Sequence, residues 1–134
     1  MQTKGNTAER SLVLILDDDE SIRASTQRLI RSFGFKAEVI ASARDLLKSL
    51  RATETVGCLL LDVHMPGMDG LELQRRLNKT HPELAIIFMT GCASNEEISR
   101  ANAAGAVALL LKPVKPEALI HAIRRALKQT GRAE

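Results

Sequence analysis

The sequence predicts an α/β fold: a doubly wound (βα)5 sandwich around one five-stranded parallel sheet. Three observations carry that expectation. Short apolar runs alternate with stretches whose apolar residues recur at helical spacing, five of each along the chain. The runs are apolar almost without interruption, as strands covered on both faces must be. Right-handed crossovers between such strands put helices on both sides of the sheet.

The elements follow in order. Leu12 to Leu16 is a strand run that stops at three aspartates, and Ile22, Leu29 and Phe33 stripe the helix after it. Gly34 ends that helix, since glycine accepts the left-handed conformation a helix terminus often needs. Val39 and Ile40 centre a weaker second strand, and Ser42 with Asp45 opens a helix carrying Leu46, Leu47 and Leu50. Cys58 to Leu61 is the third strand, again halted by an aspartate, with Pro66, Gly67 and Gly70 in the loop beyond.

Asp69-Gly70 has the look of a hairpin turn, but the stripe of Leu73 and Leu77 behind it makes Asp69 a helix cap instead. Ala85 to Met89 is the fourth strand. Ser94 with Glu97 starts a fourth helix whose stripe, Ile98, Ala101 and Ala104, is thin. Val107 to Leu111 is the fifth strand, and Leu119, Ile123, Ala126 and Leu127 stripe a last helix that Pro116 opens.

In doubly wound sheets the functional site lies beyond the carboxyl ends of the strands. There the sequence places Asp17-Asp18-Asp19, Asp62, Thr90 and Lys112. Singly, each has a plain structural use, such as capping, turn formation or solvation. Together they put several carboxylates, a hydroxyl and an ammonium at one edge of one sheet. Two carboxylates ~4 Å apart at an effective dielectric of ~20 repel by about 4 kcal/mol, so such a cluster needs a neutralising partner. A hard divalent cation such as Mg2+, held by carboxylates and a phosphate oxygen, answers that need. Carboxylate nucleophile, metal, cation and hydroxyl form an inventory for phosphoryl transfer.

Composition narrows the classes. The 134 residues are 45% hydrophobic and 26% charged, ordinary for one soluble domain. No apolar run approaches the roughly 20 residues of a membrane helix, and the amino end lacks the apolar stretch of a signal peptide, so a cytoplasmic location is expected. Net charge is +3, but the cations sit in separate helical sets (Arg44, Lys48, Arg51; Arg75, Arg76, Lys79; Arg124, Arg125, Lys128) and aromatics number only Phe33, Phe35 and Phe88. No direct nucleic-acid binding by this domain is expected from such a surface. Cys58 and Cys92 have no partner motif and read as free thiols.

The stretches LVLILDDDESIR, LLLDVHMPGMDG, IIFMTG and AGAVALLLKPV, in this order from Leu12 onward, resemble the receiver domains of bacterial two-component response regulators. The resemblance runs to about Leu127 and implies a flavodoxin-like strand order 2-1-3-4-5. It implies that Asp62 accepts a phosphoryl group from a histidine kinase or phosphotransfer protein. Asp17, Asp18 and Asp62 would hold Mg2+ with the main-chain carbonyl of His64. Thr90 would be the switch hydroxyl, and Lys112 would pair with the phosphorylated aspartate, followed by a cis bond to Pro113. Asp19 matches a position that is usually acidic but is not the main ligand, and it reads as a cap for the helix that follows. Such a domain is a signalling acceptor that catalyses only its own phosphorylation and dephosphorylation, not an enzyme with turnover.

Two positions depart from that family. Leu109 stands where an aromatic ring usually reports the switch, and Val114 where Phe commonly follows Lys-Pro. Cys92, like His64, lies two residues beyond a site residue and is placed to influence the lifetime of the phosphoryl group. Two other classes compete. A haloacid-dehalogenase-type phosphatase would use Asp17 and Asp19, but the chain has neither a cap domain's length nor a late acidic pair. A receiver scaffold serving only as an interaction module would explain Leu109 and Val114 while leaving the acceptor set unexplained.

The expected organisation is a flexible segment at 1–11, a receiver domain at 12–128 and a tail at 129–134. An output domain or downstream protein, and a second copy of the chain, are the further partners in view.

Overall fold

The computed structural model describes residues 11–52 and 55–131. The elements are β1 (Leu12–Leu16), α1 (Glu20–Ser32), β2 (Lys36–Ile40), α2 (Ala43–Ala52), β3 (Val56–Leu61), β4 (His64–Met65) and β5 (Met68–Asp69). Then come α3 (Gly70–Thr80), β6 (Ala85–Thr90), α4 (Asn95–Ala103), β7 (Ala108–Leu111) and α5 (Pro116–Gly131). The large sheet has the order β2-β1-β3-β6-β7 with every pair parallel, which is 2-1-3-4-5 counted among its own five strands. The expected doubly wound topology is therefore present.

Burial explains the strand sequences. β3 and β6, the inner strands, are buried at every position, while the edge strands β2 and β7 are not. Alternate residues feed two cores. Val13, Ile15, Cys58, Leu60 and Ile87 face Ile30 of α1 and Leu119, Ile123 and Ala126 of α5. Leu14, Leu16, Leu59, Leu61 and Phe88 face Leu46 of α2, Leu71 and Leu77 of α3, and Ala101 of α4. Phe88 has no exposure at all, and emptying such a site costs about 3–5 kcal/mol.

The capping signals resolve as read. Ser42 Oγ accepts from the Asp45 amide, and Asp69 accepts from the amides of Leu71 and Glu72. Ser94 and Glu97 form a reciprocal capping box on α4. Gly34 follows α1 at φ +93°, a left-handed value.

Several details differ from the sequence reading. The turn at Pro66-Gly67 closes a two-residue antiparallel ladder, β4 with β5, that the apolar pattern did not announce because it lies outside the core. Phe33 is 46% exposed; the buried positions of α1 are Thr26 and Ile30, with Ile22 and Leu29 flanking them. Val39 and Leu47 are likewise exposed near the β2 edge of the sheet. Val107 precedes β7, although its amide already bonds Ile86. α5 continues to Gly131, past the expected domain end at 128, and of the expected segment at 1–11 all but residue 11 lies outside the described residues.

Candidate functional site

Strand register assembles the site. Leu16 of β1 pairs with Leu61 of β3, so the next residues, Asp17 and Asp62, emerge side by side. Thr90 pairs with Leu111 on β7, and the Lys112 amide donates to the Thr90 carbonyl at 2.8 Å. Residues far apart in sequence are brought together because parallel strands point their carboxyl ends the same way.

Asp17, Asp62 and Thr90 are buried polar groups at this edge, and Asp18 beside them is exposed. Lys112 spans the two buried carboxylates, with Nζ 2.7 Å from Asp17 Oδ2 and 3.0 Å from Asp62 Oδ2. Burial pulls the Lys112 ammonium toward lower pKa as the largest single influence. The two carboxylates together outweigh it and hold the group above the ordinary lysine value.

The second oxygen of each buried carboxylate also accepts a hydrogen bond. Asp17 Oδ1 accepts from the Asp19 amide at 3.0 Å, and Asp62 Oδ1 from the His64 amide at 3.0 Å. Arg23 donates to the Asp17 main-chain carbonyl. Asp19 turns away from this cluster and caps α1 through the Ile22 amide, as expected.

Asp17, Asp18 and Asp62 offer carboxylate oxygens within 4.8 Å of one another. Three carboxylates against one ammonium leave the cluster short of positive charge, and an all-oxygen donor set suits a hard divalent cation. The residues therefore fit Mg2+.

Thr90 donates its hydroxyl to the Cys92 carbonyl at 3.1 Å. Cys92 itself is exposed, whereas the Cys58 thiol, deep in the core, is pushed far up in pKa by burial. The Lys112–Pro113 bond is cis, as the resemblance implied. Leu109 is half-buried against the α2–α4 core, and Leu111, two residues on, is 57% exposed.

Sequence reasoning missed three participants. Gly70 packs so closely under the loop that a Cβ there would run into the Asp62 carbonyl and the Val63 Cα. Its amide donates to the Val63 carbonyl at 2.9 Å, fixing the backbone just after Asp62. Glu97 reaches back to the His64 ring, with Nε2 3.2 Å from Oε1 and 3.1 Å from Oε2. Gln74, almost wholly buried, donates to the Ala101 carbonyl of α4 at 3.1 Å. A glycine directly after a capping aspartate was a visible signal for the first; the other two contacts exist only in three dimensions.

Among the described residues, no helix is long and apolar enough to cross a membrane. The three cationic sets are exposed on separate helices, as expected.

Comparison with known proteins agrees with this geometry. Residues 13–124 match the family model of the response regulator receiver domain. The response regulator protein TodT of Pseudomonas putida is 40% identical over 118 residues, covering 88% of this chain and 52% of TodT. The DNA-binding transcriptional regulator NtrC of Escherichia coli is 33% identical over 119 residues, covering 89% of this chain and 25% of NtrC. The chain thus spans about half the length of TodT, or less of the longer relative. A response regulator receiver domain protein (CheY-like) from Methanospirillum hungatei superposes with a TM-score of 0.82 at 32% identity, covering 92% of this chain and 98% of that one.

Proposed function

This chain belongs to the response regulator receiver domain family of two-component signalling, and on that premise we propose that Asp62 is its phosphoacceptor. Phosphorylation on aspartate and Mg2+ binding are general in that family. The observation that carries the assignment is Lys112 Nζ held between Asp17 and Asp62, with Asp62 the carboxylate that follows the central strand β3.

Each residue's part follows from its atoms. An Asp62 carboxylate oxygen attacks the phosphorus of a phosphohistidine; the new O–P bond forms as the N–P bond breaks, and the histidine nitrogen leaves with the electron pair. Asp17 and Asp18, with Asp62 and the His64 carbonyl, would hold Mg2+, which supplies charge neutralisation for the phosphoryl oxygens. Lys112, already paired with Asp62, stays to pair with the modified side chain. Thr90 releases Cys92 and donates its hydroxyl to a phosphoryl oxygen. Charge-assisted hydrogen bonds of this kind contribute about 1.5–3 kcal/mol each. A bias of that size makes a conformer populated at a few per cent the dominant one. His64 and Cys92 flank the approach to Asp62 and Thr90 and set how long the phosphoryl group survives hydrolysis.

The chain works as a cytoplasmic acceptor whose donor is a histidine kinase or phosphotransfer protein and whose readout is an output domain or downstream protein. A homodimer is a second form of readout, and nucleic acid is not contacted by this domain directly. With no aromatic ring at Leu109, the relay toward β7 runs through the position of α4 rather than through a ring turning inward.

Acetyl phosphate with Mg2+, followed by intact-mass measurement, tests the assignment. One labile phosphoryl group is expected on the protein and none on Asp62→Asn or in metal-free samples. An adduct that survives in Asp62→Asn would refute it.

A further inference from the structure

α4 is held unevenly. Along its whole length only Ala101 is buried. At its carboxyl end two side-chain amides of α3 clasp it: Gln74 bonds the Ala101 carbonyl at 3.1 Å and Asn78 bonds the Ala104 carbonyl at 2.7 Å. At its amino end the only side-chain bond to another element, among the described residues, is Glu97 to His64. The Glu97 carboxylate also accepts from the Ser94 amide at 2.9 Å, so one side chain both starts the helix and ties it down.

The tie spans the functional site. His64 stands two residues after Asp62, and Ser94 opens α4 four residues after Thr90. The bridge therefore joins the loop behind the carboxylate to the loop behind the hydroxyl. His64 and Glu97 also line a cleft of about 430 Å3, walled further by Val63, Met65, Met68, Leu71 and Arg100, so the amino end of α4 borders open space.

We infer that Glu97 is a positioning residue, tethering the amino end of α4 to His64 and so keeping the Thr90 segment in its resting arrangement, with the Ala101–Ala104 end as the pivot. This deepens the phosphoacceptor assignment and rests on it for its consequence, though not for the tether itself. While the bridge stands, Thr90 keeps its bond to the Cys92 carbonyl. When the bridge is lost, the segment between Thr90 and Glu97 samples positions that let the hydroxyl turn toward Asp62. Population of that conformer then rises before any phosphoryl group arrives.

The test compares wild type, Glu97→Ala, His64→Ala and the double variant, with Ser94→Ala as a control that damages the helix cap and leaves the bridge. In unphosphorylated protein, amide exchange over residues 92–98 should quicken roughly two- to five-fold in either single variant, the range one exposed side-chain hydrogen bond supports. Exchange at 101–104 should stay as in wild type. Phosphorylation by acetyl phosphate should accelerate by a similar factor, and the double variant should go no further than the singles. Glu97→Gln, which keeps an oxygen for the Ser94 amide, should fall between. Additive effects of the two single variants, or a Ser94→Ala effect as large as theirs, would overturn the tether in favour of plain capping. Unchanged exchange in all variants would overturn it as well. Should wild type take no phosphoryl group while exchange changes as described, the tether stands and the Asp62 assignment falls.

Discussion

The ammonium of Lys112 lies 3.0 Å from the carboxylate of Asp62 across 50 residues of sequence, and it is shared with Asp17 at 2.7 Å. One positive charge thus serves two buried negative ones. Replacing it by Lys112→Met leaves both carboxylates without a counter-charge. Removing one member of a buried pair costs about 3–5 kcal/mol; because Lys112 reaches solvent, about 1–3 kcal/mol is expected here. Urea unfolding of the variant measures this, and addition of Mg2+ should recover part of the loss.

Mg2+ should stabilise the native protein by ordinary linkage, approaching ~2.7 kcal/mol at a hundredfold excess over its dissociation constant. The rise in melting temperature should shrink in Asp18→Asn and vanish in the Asp17→Asn, Asp18→Asn double variant. Calorimetric scans with and without the ion decide it.

Alkaline pH should weaken the fold through Cys58 first. Its native pKa is raised above the ordinary 9.0, so its stabilisation is complete below that value and drains away as pH rises toward the native one. The slope approaches 1.36 kcal/mol per pH unit. Lys112 is also raised, from 10.5, so its loss falls at higher pH. Unfolding free energies between pH 9 and 10.5 should therefore fall in wild type and flatten in Cys58→Val. A thiol reagent should label Cys92 in the native protein and leave Cys58 untouched.

Gly70→Ala should be costly although alanine favours helices. The added carbon meets the backbone of Asp62 and Val63, which cannot yield as a flexible side chain would. A loss of about 1–3 kcal/mol is expected, together with slower phosphorylation because the Asp62 loop is displaced. Gly91→Ala, where a Cβ meets open space, is the matching control.

Phosphorylation should alter hydrogen exchange in residues 92–105 more than elsewhere, since α4 buries one residue and is pinned by few bonds. Equal protection with and without the phosphoryl group would contradict a switch that runs through this helix.

Much of this was legible because strands end abruptly. Asp17, Asp62, Thr90 and Lys112 each terminate an apolar run, and a parallel sheet delivers all such ends to one edge. Ser94 and Glu97 announced a helix start by spacing alone. The register of Leu16 with Leu61, which makes neighbours of Asp17 and Asp62, is set by packing of both faces and leaves no mark in either segment. The second use of Glu97, a bond to His64 33 residues away, was hidden because its local use already accounted for it. Phe33 misled for a different reason: helical spacing identifies a stripe but not where the sheet beneath it ends.

The bond between Lys112 and Asp17 closes a loop of 95 residues, and β7, which delivers the lysine, comes last in chain order among the five strands of the described sheet. Until that strand docks, a nascent chain carries its carboxylates without their ammonium and without the backbone bond from Lys112 to Thr90. The carboxylates, the hydroxyl and the ammonium therefore stand together only once β7 is in place. A copy in which β7 has not docked lacks the Lys112 pairing to both carboxylates.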